Sequence, residues 1–349
     1  MADRTDPGAP GATGPGRPVR RPLRRKVAPA GRRRRIRIVA LVVVVGLLIP
    51  FGISFGSTLA DPANGSSIGA RAAEWFRGHG AASAVNWVEN LWYSHHQPPV
   101  GGAPPKGEIR IPRGLVAPVP VGPSHLDPPK PMTPLASPAQ PGEGSWSPAG
   151  RLVEGVPSLY TTELRPDPVH TSQVVGVAWM DTKLLHATLY SGSIIPGGGP
   201  FTHSAPITAD AAMSVVTAFN SGFLMSNAQG GYYTDGRTEV PLRDGAASFV
   251  VDANGTATVG QWGRDVSMTP GVISVRQNLD LLVDGGHPVA GLNSNDTSHW
   301  GFTLGNQIYV WRSGVGVTAD GALVYVGGPS LNITSLANVL ADAGCVRAM

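Results

Sequence analysis

The sequence predicts an α+β fold: a mixed, mostly antiparallel sheet domain with few helices, preceded by a single transmembrane helix and a proline-rich linker. Three observations carry that prediction. An uncharged apolar run covers residues 38–60, directly after a strongly basic tail. Fifteen prolines fall within the 54 positions 97–150. Beyond residue 150, short apolar or alternating segments are separated by turn residues, and helical spacing is rare.

Residues 1–37 hold twelve Lys or Arg against two acids, a local charge of +10, and almost no large apolar side chains. Such a tail cannot build a core and is expected to be disordered. Residues 38–349 hold fifteen basic and twenty-one acidic side chains, a balance of −6, so the basic character comes from the tail alone. The acidic exported part argues against a nucleic-acid partner. At ~1.5 Å per residue the 23-residue run spans roughly 35 Å, enough for a hydrocarbon core of ~30 Å. Arg32, Arg33, Arg34, Arg35 and Arg37 lie just before it. The positive-inside rule then puts the N-terminus in the cytoplasm and the C-terminal domain outside, giving a single-pass cell-membrane protein with the lipid bilayer as a partner. A cleaved signal peptide is the rival, since Thr58-Leu59-Ala60 loosely fits a small-x-Ala site. The run is longer than the usual signal core of about 7–15 residues, which favours the anchor. The single cysteine, Cys345, rules out an intramolecular disulfide framework and reads as a small buried apolar residue.

Residues 61–96 form a juxtamembrane helical segment. Ala72, Trp75 and Phe76 make one apolar stripe and Val85, Val88, Leu91 and Trp92 another, broken at Gly78-His79-Gly80. His79, His95 and His96 have no carboxylate at ligand spacing, and no other metal-ligand pattern occurs, so neither metal nor cofactor is expected. Residues 97–150 read as a semi-rigid spacer rather than a core-forming segment.

The domain is expected over residues 151–349. Segments 174–180 and 184–190 flank Asp181-Thr182-Lys183, and segments 246–252 and 256–262 flank Ala253-Asn254-Gly255, a strong hairpin signal. Segments 272–276 and 279–283 flank Gln277-Asn278, and segments 307–312 and 323–326 are separated by a turn at residues 318–321. A short helix is expected within residues 210–216. A clearer one carries Ile333, Leu336, Ala337 and Leu340, with Asn332 or Ser330 as cap and Gly344 as stop.

Several of these segments, in this order, resemble the phosphodiester glycosidase family. Residues 187–198 resemble its early strand and Pro-Gly loop. Ala218-Phe-Asn-Ser-Gly-Phe223 resembles its Asn-Gly-Gly-Phe-Phe signature, with Asn220 matched, Ser221 in place of a glycine and Leu224 in place of the second aromatic. Tyr233-Thr-Asp-Gly236 is similar to the turn that follows, and Trp311-Arg-Ser-Gly-Val-Gly316 resembles the Arg-Thr-Ala-Ile-Gly segment, with Arg312 matched. Residues 331–348 resemble the helix and strand entry before the family's closing acidic motif. The sequence stops at Cys345-Val-Arg-Ala-Met349, just before that motif, so the domain is expected to be C-terminally incomplete, with a sheet edge left open.

The resemblance implies a glycosidase that hydrolyses a sugar-1-phosphodiester of envelope glycans or their precursors; the alternative is a non-catalytic cell-envelope module that binds glycans. Such a ligand needs a guanidinium for its phosphate, amides and imidazoles for its hydroxyls, and an aromatic face for its ring. Arg312 is the first choice for the phosphate, against a structural ion pair, and Arg276 the second. Asn220 either holds its loop or takes part at the reacting centre. The polar stretch 284–301 is a natural binding loop holding His287, Asn293, Asp296, His299 and Trp300. His299 is suited to acid–base work near neutral pH, with Asp296 as the acid beside it, and Trp300 to stacking on a sugar. Asp235 is a further acid to test, and Asp284-Gly285-Gly286 reads as an ordinary turn. Each of these also has a bland reading as turn, core or solvated surface.

Overall fold

The computed structural model describes residues 30–61, 67–112, 124–192 and 196–349. The tail expected to be disordered lies almost wholly outside the described residues, as do part of the linker and part of the Pro-Gly loop. The chain forms two compact units, one ending at Trp75 and one running from Phe76 to Met349.

In the first unit a continuous helix, α1 (Ala30–Ala60), covers the apolar run and passes through Pro50. Helix α2 (Ile68–Phe76) sets Trp75 edge-on against Phe51 and Phe55, with ring centroids 4.5 and 4.8 Å away, and the indole N–H donates to Ser54 Oγ at 3.0 Å. Among the described residues, no helix is long and apolar enough to cross a membrane; many α1 side chains lie outside them.

The second unit begins with a single wide turn at Arg77–Ala81, where Gly80 takes φ 84°, followed by α3 (Ala82–His95). The remaining elements make a mixed α+β arrangement in which every strand pairing is antiparallel. One sheet runs β1 (Ser147–Val153), β2 (Val156–Leu164), β3 (Val175–Met180), β12 (Leu323–Leu331), β11 (Val310–Thr318), β13 (Cys345–Ala348), β9 (Val283–Asp284) and β10 (His287–Pro288). The other runs β5 (Arg237–Val240), β4 (Tyr232–Thr234), β8 (Val272–Gln277), β6 (Ala247–Asp252) and β7 (Ala257–Gln261). Helices α4 (Ala209–Ala212), α5 (Met225–Ala228) and α6 (Thr297–Trp300) are single turns. The one longer helix here after α3 is α7 (Ile333–Asp342), capped as expected by Asn332, whose side chain accepts from the Ser335 N–H at 2.8 Å.

Strand alternation divides the core into two layers. Tyr160, Val177, Trp179, Val324 and Val326 face α7, which buries Ile333, Leu336, Ala337, Val339 and Leu340 against them. The opposite face, with Leu159, Met180, Val315, Val317 and Leu323, meets Ala247, Val251, Ala257 and Val259 of the second sheet. The two-glycine turn between β9 and β10 has positive φ at both Gly285 (59°) and Gly286 (83°), as a tight hairpin requires.

Four expectations need correction. The proline-rich segment is not all spacer: Leu126, Met132, Ala136 and Trp146 are buried, three of them in the layer beneath α7. Glu143 holds the segment there through a buried ion pair with Arg165, at 2.7 Å and with side chains 0% and 3% exposed. Residues 184–190 form no strand, because Asp181 accepts from the amides of Lys183 and Leu126, both at 2.8 Å, and turns the chain away. Residues 277–283 make no hairpin. The chain crosses there between sheets, with Leu279 at φ 58° donating to Ala228 O and Leu282 donating to Ala348 O. The open edge does not fall at the last strand: β13 pairs with β11 on one side and β9 on the other, and the sheet ends at β10.

Burial alone would raise the Glu143 carboxyl, but hydrogen bonds from the Arg165 side chain and from the Gln140 and Arg165 amides outweigh it and hold the group below the usual range. A depressed acid contributes stability above the unfolded-state value, about 4.3, and loses it as pH falls through the folded-state value. Glu143→Gln is therefore expected to cost about 3–5 kcal/mol in denaturant unfolding at neutral pH, since it strands Arg165. The variant's stability should also fall less steeply in acid than the wild type's.

Candidate functional site

The site starts at the head of β11. The pairing of β11 with β12 slips between Val310 and Arg312, and such a bulge breaks the alternation of side chains. As a result the consecutive residues Trp311 and Arg312 both line one cavity of about 280 Å³. Arg312 is 7% exposed, and its Nε donates to Leu331 O at 3.0 Å, with Ile308 O at 3.5 Å from Nη2. It has no acidic partner among the described residues. Burial pushes its pKa down to about 10, which marks a cation that has lost water and gained only carbonyl dipoles. That observation removes the ion-pair reading for Arg312.

Asn220, His299 and Trp300 line the same cavity, although they lie 92, 13 and 12 residues before Arg312 in sequence. Asn220 accepts from the Tyr325 hydroxyl at 3.0 Å, while Phe219 stacks on the Tyr325 ring at 4.7 Å. The following Gly222 has φ 98°, and a Cβ there would meet the Asn278 side chain at 3.1 Å. Asn278 in turn accepts from the Phe223 N–H at 3.3 Å, so the loop is clamped from behind. The backbone conformation at position 222 therefore favours glycine, and a Cβ there would press on the Asn278 side chain.

His299 sits on α6, whose N-cap is Asp296. One carboxylate oxygen of Asp296 lies 2.9 Å from His299 Nδ1, and the other accepts from the Ser298 hydroxyl at 2.6 Å. The Ser298 hydroxyl, ahead of the imidazole, holds the Asp296 carboxyl below its usual range. A carboxylate fixed on Nδ1 sets the ring's tautomer and leaves Nε2 for chemistry. Asp296 itself does not line the cavity and acts through the ring. The Trp300 indole N–H is buried without a hydrogen-bond partner among the described residues.

The other candidates fall elsewhere. Arg276, on β8, is buried and donates to the carbonyls of Gln277 and Phe223. Its pKa is lowered by burial, opposed by Tyr232. It does not reach the cavity and instead underpins the Phe223 loop. His287 is exposed on β10, and Asn293 is exposed with its Oδ1 bound to the Asn295 amide at 3.0 Å; neither lines the cavity. Asp235 accepts from the Thr202 amide at 2.7 Å, and Asp284 pairs with Arg264 at 2.7 Å.

Sequence reasoning missed Glu89 and Tyr93 of α3, Asn278 and Asp280, which all line the cavity. Glu89 and Tyr93 are four apart on one helix face, a spacing legible in the sequence once the polar rather than the apolar stripe is followed. Glu89 is ion-paired with Arg77 at 2.6 Å. A second, larger hollow of about 420 Å³ is lined by Arg243, Asp244, Asp280 and Asp284 and shares Asp280 and Trp300 with the first. Within it Arg243 lies 3.9 Å from Asp280, while Asp284 is paired with Arg264 outside the lining. Among the described residues no group of three His, Cys, Asp or Glu could hold a metal ion.

No protein family's sequence pattern matches the chain, and no curated protein matches it either. Among solved structures, the catalytic domain of zebrafish N-acetylglucosamine-1-phosphodiester alpha-N-acetylglucosaminidase, auto-inhibited by its pro-peptide, is similar at a TM-score of 0.35 and 15% identity, over 59% of this chain and 74% of that one. A hypothetical protein from Synechocystis is similar at a TM-score of 0.32 and 12% identity, over 58% of each chain. These are distant structural likenesses to a part of this chain, and neither assigns it to a family.

Proposed function

We propose that the second unit binds a sugar-1-phosphodiester in the Arg312 cavity and hydrolyses its glycosidic bond, on the outer side of a membrane to which residues 38–60 anchor the chain. The observation that carries this reading is the buried Arg312 guanidinium, without an acidic partner among the described residues, on a cavity that His299 also lines. A desolvated cation of this kind favours an anion strongly, because binding restores the charge compensation that burial removed. In this reading Arg312 takes the phosphate, Asn220 and Asn278 meet sugar hydroxyls, and the Trp300 ring offers an apolar face to the sugar. His299, oriented by Asp296, exchanges a proton with the departing phosphate oxygen or the incoming water. Asp280 and Glu89 are the carboxylates available at the cavity for nucleophile or base work. The motif resemblance at residues 218–223 and 311–316 supports the same reading.

A second reading, a glycan-binding module without turnover, draws on one observation: Glu89 is engaged by Arg77 at 2.6 Å, leaving Asp280 the less committed carboxylate. The two readings separate in one assay, release of free N-acetylglucosamine from its 1-phosphodiester by the full chain in nanodiscs. Hydrolysis is expected, and ligand binding without any release would establish the second reading instead.

Three outcomes are expected of variants and topology. His299→Ala should lower kcat by about 10²–10⁴-fold while leaving ligand binding measurable. Arg312→Met should weaken ligand binding by at least about tenfold, the cost of one charge-assisted contact of ~1.5 kcal/mol, yet cost less than about 1 kcal/mol of folding stability, because no ion pair is broken. Protease added to intact cells should digest residues beyond 60; protection until lysis would overturn the proposed location.

A further inference from the structure

Resting on the reading of the Arg312 cavity as a phosphodiester site, we infer that the alcohol on the far side of the phosphate, the aglycone, is apolar. A phosphodiester presents two ester arms to its binding site, and the cavity lining offers both hydrogen-bonding and apolar residues to receive them. Asn220, Asn278 and His299 supply the hydrogen-bonding partners that a sugar needs. The same lining also carries a large apolar share: Phe223, Phe302, Val310, Trp311, Ile333 and Leu336. A second sugar would leave its hydroxyls unpaired against that wall, at a cost that hydrogen-bonding sites avoid.

The rim points the same way. Trp311 is 62% exposed and Phe302 48% exposed, although both line the cavity, so each covers part of its wall and offers the remaining ring to solvent. Large aromatic rings left half-bare at a cavity mouth are costly in water unless a ligand covers them. Among the described residues the acids in the lining are Glu89, which is paired with Arg77, and Asp280. Together these place a slot for an alkyl or aryl ester beside the phosphate position.

The test compares two soluble esters of N-acetylglucosamine-1-phosphate, methyl and benzyl, titrated calorimetrically into the full chain in nanodiscs with empty nanodiscs as reference. The benzyl ester is expected to bind at least about tenfold more tightly, the gain from covering one aromatic ring. In the Trp311→Ser, Phe302→Ser double variant the ratio of the two Kd values should fall to near one; both residues are exposed enough for the variant to fold, and circular dichroism checks that it does. Equal binding of the two esters by the wild type overturns the inference while leaving the phosphodiester reading standing. A tenfold preference that survives the double variant also overturns it, because the slot then lies elsewhere. Failure of both esters to bind removes the phosphodiester reading and this inference with it.

Discussion

Strand β11 can occupy its central place only because it carries no side chain at positions 314 and 316. A Cβ at Gly316 would lie 2.6 Å from Cys345 Sγ and 2.8 Å from Ala348 Cβ, and one at Gly314 would lie 2.8 Å from Leu340 Cδ1. These clearances let β13 lie beside β11 and let α7 settle onto the same face. Without them the eight-stranded sheet would divide at its middle, because β13 is what joins β9 and β10 to the rest. The site depends on the same seam. Arg312 heads β11, and Met349, which exchanges both backbone hydrogen bonds with Val315, closes the cavity at the end of β13.

Three buried arginines show how differently one residue type can be used. Arg165 is answered by Glu143 and by the carbonyls of Ala136 and Pro138, and it locks a proline-rich segment to the sheet. Arg276 is answered by two carbonyls and supports a loop. Arg312 has a similar share of carbonyl contacts but lines a cavity. Burying a guanidinium is unfavourable in all three places, and only the first offsets the cost with a full counter-charge.

Much of the fold was legible in the sequence where local chemistry was decisive. Asn254-Gly255 turned where a hairpin was expected, and Asn332 and Gly344 bounded α7, because caps and turns depend on a few neighbouring atoms. The misreadings came from long-range competition. Residues 184–190 have strand-like composition, but Asp181 diverts them and Gly255 O takes the Ala187 amide. Residues 124–146 have linker composition, yet Trp146 and Met132 find the face of the sheet and Arg165 finds Glu143. In the site, Asn220, His299, Trp300 and Arg312 could be named by chemical type and motif. The contributions of Glu89 and Tyr93 could not, because a helix more than a hundred residues upstream has no local signal that it will close over a distant strand.

Helix α6 is a single turn, and its capping carboxylate is the same group that steadies the His299 ring. Backbone order and imidazole aim are therefore not separable properties here. Removing that one carboxylate takes the cap from the turn and the partner from the ring in the same event.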